Sequence, residues 1–189
     1  MNKGDIGYLS NLKKRELIKC GIQWSAVIAF LAIGYFTTHS KLNLFTIFAV
    51  LSCLPAAKTT VGVVVKFPLN SLNETQTEEI VNNTTHLTVS FDAILTSKEK
   101  VMPLECVVIS GNTVYGYASS SKVGVNETAN YMKNFFLQNE CGRVNVKIFH
   151  EFVPFMSRVE GLNNIACIEK KDTKEQEENL KYKIKLISM

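Results

Sequence analysis

The run PLECVVISGNTVYGYAS, residues 103–119, is the stretch of this chain that decides its fold. Two β-rich stretches, 103–110 and 113–119, are separated only by Gly111 and Asn112. A two-residue connection of this kind between β-branched and aromatic runs is typical of a β-hairpin. The sequence therefore predicts two antiparallel strands here, and the rest of the domain is expected to surround them.

The segments upstream of the hairpin predict a short helix and then a strand. The run NETQTEEIVNNT at 73–84 has acidic residues in its early turns, where they interact favourably with the helix dipole. The run HLTVSFDAIL at 86–95 alternates apolar and polar residues, which is the period of a half-buried strand. We therefore expect a helix followed by a strand that turns one face to the core.

The segments downstream of the hairpin predict a helix, a strand and another helix. Asn126 is a suitable N-cap, and Gly142 is expected to end the helix that begins there. The run VNVKIFHEF at 144–152 predicts a strand, and PFMSRVEGL at 154–162 predicts a helix with proline at its first position. The resulting order is α-β-β-β-α-β followed by a helix. This order predicts an α+β fold in which helices pack on a mostly antiparallel sheet.

The last segment, 169–189, is rich in charged residues. Its first part is expected to form a solvated linker or an exposed helix. Near its end Tyr182, Ile184 and Leu186 alternate with lysines, so this end could add an edge strand.

Residues 1–67 contain two apolar segments of membrane-spanning length. The first, at about 17–38, holds about 20 predominantly apolar residues, the number that a hydrocarbon core of about 30 Å requires. The second, at about 42–65, reaches that length only if the helix continues through Pro55. A cleaved signal peptide is the alternative for the first segment, but its length and the second segment behind it favour a retained helix. We therefore expect a transmembrane helical hairpin that anchors the chain. The chain thus divides into three parts: the anchor at 1–67, a soluble α+β domain at 68–168 and the charged segment at 169–189.

Basic residues flank the two apolar segments at the ends away from their connecting turn. These membrane-boundary residues are Lys13, Lys14, Arg15, Lys19, Lys58 and Lys66. Because cytoplasmic flanks carry an excess of Lys and Arg, we expect a multi-pass protein of the cell membrane with its N-terminus and C-terminal domain in the cytoplasm. The ammonium group of Lys58 can reach the headgroups from near the end of its segment. A place for Lys58 on a transport pathway is the alternative, but no intramembrane acid offers it a partner.

Small residues are expected to line the contact between the two apolar helices, because they allow the backbones to approach closely. These residues are Ser25, Ala29 and Ala32 in the first segment, and Ala49, Ser52 and Ala56 in the second.

N-x-[ST] sequons would favour a lumenal domain in a eukaryotic host. They begin at Asn73, Asn82, Asn83 and Asn126. Since the chain is rich in Asn, chance matches are frequent, and the basic flanks carry more weight.

The cysteines and histidines form no recognisable metal or catalytic motif. The five cysteines are odd in number and include no CxxC pair, so neither a disulfide framework nor a structural zinc site is expected. His39, His86 and His150 do not have the HExxH spacing. The SSSK run at 119–122 has the spacing found in penicillin-recognising enzymes, without their companion motifs. The sequence therefore predicts no cofactor.

The predicted element order over about 74–150 resembles the core of the restriction-endonuclease-like fold, the PD-(D/E)xK family, some of whose members are tethered to membranes. The resemblance implies two acids on neighbouring strands that hold a divalent metal such as Mg²⁺, a lysine beside the second acid, and nucleic acid as substrate. Asp92 and Glu105 are the candidates for these catalytic, metal-binding acids, but Val107 stands where the lysine belongs. A lysine from elsewhere could replace it. The candidates are Lys98, Lys100 and Lys122.

Two functions are therefore expected. The first is a small integral membrane protein whose cytosolic α+β domain acts as a non-catalytic binding or subunit module. Its partners would be the lipid bilayer and an unknown protein or a second copy of the chain. The second is a membrane-tethered, nuclease-like, metal-dependent hydrolase that uses Asp92 and Glu105, in a degenerate form. Because the motif of the second is incomplete, and because fold alone does not determine function, we favour the first.

Overall fold

The computed structural model describes residues 3–38, 44–67, 69–97, 100–121, 123–139, 141–169 and 173–188. The chain forms two compact units. Leu9–Leu69 make up the helical unit, and Met1–Tyr8 together with Asn70–Met189 make up the α+β unit. The C-terminal segment therefore lies in the same unit as the predicted soluble domain.

Two long helices form the helical unit. Helix α1 spans Tyr8–Thr38 over 31 residues, and helix α2 spans Leu44–Lys66 over 23 residues with Pro55 inside it. Both are long and apolar enough to cross a membrane by length and composition. At a rise of 1.5 Å per residue, α2 is about 34 Å long, close to the thickness of a hydrocarbon core. Helix α1 begins well before the predicted apolar segment, because no proline or glycine interrupts residues 8–17.

Polar side chains join α1 to α2 in an antiparallel pair. Trp24 Nε1 donates a hydrogen bond to Thr60 Oγ1 at 3.0 Å, and Thr59 Oγ1 donates one to Gln23 Oε1 at 2.5 Å. Cys20 Sγ lies 3.5 Å from the same Thr60 hydroxyl. These contacts place the same stretch of α1 against the last third of α2.

The predicted small-residue faces are correct for one helix and wrong for the other. On α2, Ala49 and Ala56 are buried, at 1% and 0% exposure, as expected. On α1, the predicted Ser25, Ala29 and Ala32 are exposed, and Val27 is buried instead. The hydrogen bond that Gln23 accepts from Thr59 and the one that Trp24 donates to Thr60 place a different face of α1 against α2.

The α+β unit contains four helices and four strands among its described residues. In chain order these are α3 Glu74–Asn82, β1 Thr88–Thr96, β2 Val101–Ser110, β3 Thr113–Tyr117, α4 Val125–Gln138, β4 Asn145–Phe149, α5 Phe152–Glu169 and α6 Lys174–Ile187. The predicted order α-β-β-β-α-β followed by a helix is confirmed, with α6 as an additional helix.

The four strands form one mixed sheet in the order β1-β2-β3-β4. Strands β1, β2 and β3 are antiparallel neighbours, and β4 runs parallel to β3 after the crossover through α4. Ser110 pairs with Thr113 across the turn, and Gly111 has a φ of 52°, a conformation that glycine adopts without strain. The predicted hairpin is therefore confirmed.

Helices cover both faces of the sheet. The first core cluster joins one face to α4 and α6 and contains Met132, Phe136, Leu180 and Ile184. The second core cluster joins the other face to α3 and α5. Its helical members are Ile80, Phe155, Met156 and Val159. The prediction that β1 is half-buried is wrong, because α6 covers the polar face, where Thr88 and Ser90 are only 6% and 1% exposed.

The predicted edge strand at the end of the chain is also wrong. Residues 174–187 form helix α6, in which Leu180 and Ile184, one helical turn apart, are buried against the sheet. The only strand-like pairing of this segment within the described residues is the isolated bridge between Leu95 and Ser188. Ile184 fits both the alternating pattern of a strand and the spacing of a helix. The helix forms because it covers a face of β1 and β2 that would otherwise be uncovered.

The ends predicted for two helices differ from the structure by a few residues. Helix α4 has Gly124 rather than Asn126 as its N-cap, and its last residue is Gln138, before Gly142. Helix α5 begins at Phe152, so Pro154 is its third residue rather than its first. A proline within the first turn of a helix leaves no intrahelical hydrogen bond unmade.

Candidate functional site

Asp92 and Glu105 lie opposite one another on neighbouring strands. Phe91 pairs with Cys106 and Ala93 pairs with Leu104, which leaves the two acids facing each other between these pairs. The antiparallel register of β1 and β2 therefore brings together the acids that the sequence analysis proposed as a pair.

Both strands change the direction of their side chains at these acids. Residues two apart on a regular strand point to the same face. Phe91 nevertheless belongs to the second core cluster and Ala93 to the first, while on β2 Leu104 belongs to the first and Cys106 to the second. The regular alternation of side chains between the two faces of the sheet is thus interrupted at the two acids.

Asp92 has the unusual backbone that accompanies this interruption. Within the described part of the chain it is the one residue other than glycine with a positive φ, of 50°. Aspartate tolerates this left-handed conformation better than most residues, yet such positions are uncommon outside functional or strained sites. The backbone at Asp92 is therefore an independent reason to regard these acids as a candidate site.

The Glu105 carboxylate is buried and held by Ser119. The whole Glu105 residue is 5% exposed, as is Asp92. Ser119 donates a hydrogen bond from its backbone N–H to Glu105 Oε2 at 3.2 Å and another from its hydroxyl to Oε1. Ser119 follows the end of β3, and the parallel pairing of β3 with β4 continues to Ala118, whose N–H donates to the carbonyl of Phe149.

Burial governs the protonation of this site. Desolvation raises the pKa of Glu105, the hydrogen bonds from Ser119 lower it, and the nearby charge of Asp92 raises it further. Desolvation also raises the pKa of Cys106, with contributions from both acids, and the pKa of Tyr117, with a contribution from Glu105. Burial and the neighbouring Asp92 therefore make Glu105 harder to ionise than an exposed carboxyl group, and the hydrogen bonds from Ser119 oppose this effect.

The resemblance also implies a bound divalent metal and a lysine beside the second acid. Among the residues that the structure describes, no group of three or more His, Cys, Asp or Glu could hold a metal ion. Val107 is completely buried, and Lys100 Nζ lies 2.8 Å and 2.9 Å from the carboxylate oxygens of Glu127. Lys98 and Lys122 lie outside the described residues. The structure thus brings the two acids together and places the described lysine candidate in a different ion pair.

The other sequence candidates have structural partners. His150 Nδ1 lies 2.8 Å from the carbonyl of Ala118, and the carbonyl of His86 accepts a hydrogen bond from Lys174 Nζ at 2.9 Å. Ser119 does not start a helix, as the serine of an SxxK site would, but binds Glu105. His39 lies outside the described residues. All five cysteines are free, with Cys106 buried and Cys167 exposed.

Sequence reasoning missed the buried carboxylate of Glu177. It accepts hydrogen bonds from the Thr88 hydroxyl at 2.7 Å, the Gly111 N–H at 2.9 Å and the Thr173 hydroxyl at 2.9 Å. Glu177 is 2% exposed and also lines a cavity of about 830 Å³ beside the β2–β3 turn. No local signal distinguishes Glu177 from its charged neighbours, because two of its partners, Thr88 and Gly111, lie 89 and 66 residues away in the chain.

The basic residues predicted to lie at a membrane boundary are distributed over both helices of the helical unit. Glu16 lies 3.8 Å from Lys19 and 3.4 Å from Lys66, and Lys13 donates a hydrogen bond to the carbonyl of Leu69. Lys58 is exposed on α2. The basic ends of α1 and α2 are therefore joined by the ion pair between Glu16 and Lys66 and by the hydrogen bond from Lys13 to Leu69.

Comparison of the chain with protein-family models, with curated proteins and with solved structures finds no match. The function must therefore be inferred from the residues and their geometry.

Proposed function

We propose that this chain is an integral protein of the cell membrane, with α1 and α2 as a transmembrane hairpin and the α+β unit in the cytoplasm as a non-catalytic binding or subunit module. Large apolar side chains project outward from both helices. Ile28, Phe36 and Leu54 are 63%, 76% and 71% exposed. Such a surface is unfavourable in water and matches a hydrocarbon environment.

The observation that carries the proposal is the position of the residues before α1. The Phe91 N–H on β1 donates a hydrogen bond to the carbonyl of Gly4 at 3.0 Å, and Lys3 Nζ donates one to the carbonyl of Ser188 at 2.7 Å. The segment before α1 thus belongs to the same unit as the residues after α2. A chain whose two ends fold together must cross a membrane an even number of times, which supports a hairpin.

The cytoplasmic location is inferred from the basic flanks. Lys13, Lys14 and Arg15 lie in the first turns of α1, and Lys66 lies in the last turn of α2. The positive-inside rule favours the cytoplasm for both of these ends.

A non-catalytic role is supported by the burial of the candidate acids. Catalytic carboxylates that bind a metal and a substrate need access to both, whereas Asp92 and Glu105 are each 5% exposed and Glu105 is held by Ser119. A binding role is supported by the cavity of about 830 Å³ beside Glu177, which is within the usual size range of ligand pockets.

Topology is tested with Cys167, which is exposed on α5. A variant in which Cys20, Cys53 and Cys141 are replaced by Ala keeps Cys167 and the buried Cys106. We expect the chain to resist extraction by alkaline carbonate and a membrane-impermeant maleimide to label Cys167 only after the cells are permeabilised. Release by carbonate would contradict the anchor, and labelling in intact cells would contradict the cytoplasmic location.

The second candidate function is a membrane-tethered, nuclease-like hydrolase that uses Mg²⁺. It is supported by the order α3-β1-β2-β3-α4-β4, by the facing acids and by the backbone at Asp92. The full chain in detergent is assayed for cleavage of DNA and RNA with Mg²⁺. Cleavage that Asp92→Asn and Glu105→Gln both abolish would establish the hydrolase and overturn the non-catalytic proposal. We expect no cleavage.

A further inference from the structure

A cleft opens between the first turns of α1 and the last turn of α2. Its volume is about 250 Å³. Apolar and cationic side chains line it together: Leu17, Val63, Phe67, Lys13, Lys14 and Lys66. Leu17 and Phe67 are 58% and 70% exposed, so the apolar wall is open to the surroundings of the helices.

Basic side chains outnumber acidic ones among the residues that line the cleft. Its three lysines face one acid, Glu16. Lys66 Nζ lies 3.4 Å from Glu16 Oε1, and Lys13 Nζ donates a hydrogen bond to the carbonyl of Leu69. These contacts hold two ammonium groups in place, and Lys14 adds a third. Because Lys13 and Lys66 are already positioned, binding an anion requires less ordering of these two side chains than flexible lysines would.

We propose that this cleft binds the headgroup phosphate of one anionic phospholipid, an inference that rests on the membrane anchor proposed above. Lysine ammonium groups bind phosphate as point charges, and basic pockets between transmembrane helices on the cytoplasmic side bind anionic headgroups. The lysines alone would serve a free phosphate equally well. The apolar wall formed by Leu17, Val63 and Phe67 favours a lipid, since it gives the glycerol and acyl chains a continuous surface.

The test measures which lipid stays bound to the full chain. The protein is reconstituted with equal amounts of phosphatidylcholine and phosphatidylglycerol, extracted into mild detergent and examined by native mass spectrometry. We expect the unaltered chain to retain one phosphatidylglycerol. The double variant Lys14→Gln/Lys66→Gln should retain about tenfold less, since each lysine contributes to attraction of an anionic lipid. The variant Lys14→Arg/Lys66→Arg keeps both charges and should retain the lipid.

The matched control is Lys133→Gln/Lys147→Gln, which removes the same charge from exposed positions of the α+β unit. Its lipid retention should equal that of the unaltered chain. An equal loss in the control and in the cleft variant would indicate general charge attraction and overturn the proposal. Inorganic phosphate at tens of millimolar should not displace the lipid; displacement would identify the cleft as a site for free phosphate and overturn the lipid assignment.

Alkaline carbonate extraction of the same membranes separates this inference from the anchor. A chain that stays in the membrane but retains phosphatidylcholine and phosphatidylglycerol equally overturns the cleft proposal alone. A chain that carbonate removes overturns the anchor and the cleft proposal together.

Discussion

The carboxylate of Glu177 accepts a hydrogen bond from the Thr88 hydroxyl at 2.7 Å, which joins the last helix of the chain to the first strand of the sheet. Two more donors, the Gly111 N–H and the Thr173 hydroxyl, reach the other carboxylate oxygen. A single buried side chain thus connects α6 and its N-cap to β1 and to the hairpin turn.

Glu177→Ala is expected to lower the free energy of unfolding by about 2–4 kcal/mol, because it leaves the buried Thr88 hydroxyl and two partly buried donors without their acceptor. Chemical denaturation of the full chain in detergent, followed by circular dichroism, measures the loss. Glu178→Ala is the matched control, since Glu178 is exposed on the same helix, and it should change stability by less than about 0.5 kcal/mol. Equal effects of the two variants would refute the role given to Glu177.

Glu105 should make the α+β unit less stable as the pH rises. Burial raises its pKa above the ordinary value of 4.5, so the folded chain holds this proton more tightly than the unfolded chain. The resulting stabilisation is complete below pH 4.5 and is lost as the pH rises through the raised pKa. Denaturation at a series of pH values should show this fall. Glu105→Gln should remove it, whereas Glu160→Gln, at an exposed position, should keep it. A Glu105→Gln profile identical to that of the unaltered chain would contradict the prediction.

Thr60→Val should loosen the contact between α1 and α2. It removes the acceptor of the Trp24 N–H and the polar contact to Cys20, at an expected cost of about 0.6–1.7 kcal/mol. Trp24 is the only tryptophan of the chain, so its fluorescence reports directly on this contact during thermal unfolding in detergent. The control is Thr37→Val, since the hydrogen bond from the Thr37 hydroxyl to the carbonyl of Ile33 lies within its own helix. If both variants left the Trp24 transition unchanged, the hydrogen bond would contribute nothing to the pairing.

Gly4→Ala should detach the segment before α1 from the sheet. Gly4 has a φ of +91°, and a Cβ there would lie 2.7 Å from Ser90 Oγ and 2.9 Å from Lys185 Cε. Hydrogen exchange of the Phe91 amide, which bonds to the Gly4 carbonyl, should therefore become faster. Gly142→Ala has a similar left-handed backbone with nothing within 4 Å, and it should leave exchange at Phe91 unchanged. Unaltered protection of Phe91 in Gly4→Ala would mean that this segment does not depend on Gly4.

Local patterns in the sequence predicted most of the elements. The short connection Gly111-Asn112 identified the β2–β3 hairpin, the acidic start of 73–84 identified α3, and the apolar length of 42–65 identified a helix that continues through Pro55. Each of these signals lies within one element, where helix or strand preference depends mainly on neighbouring residues.

The sequence also proposed Asp92 and Glu105 as a pair, but only the register of β1 and β2 brought them face to face. The donor that holds Glu105 was not predictable. Ser119 is 14 residues further along the chain and reaches the carboxylate because β3 lies beside β2.

The sequence by itself thus determined the two apolar helices, the order of elements and the identity of the acidic pair. Tertiary structure decided the conformation of residues 174–187, whose pattern permits a strand or a helix. These residues form a helix because the apolar face of Leu180 and Ile184 covers β1 and β2. It also decided that both acids are buried. Burial and hydrogen bonding depend on contacts between residues far apart in the chain, and no local pattern records these contacts.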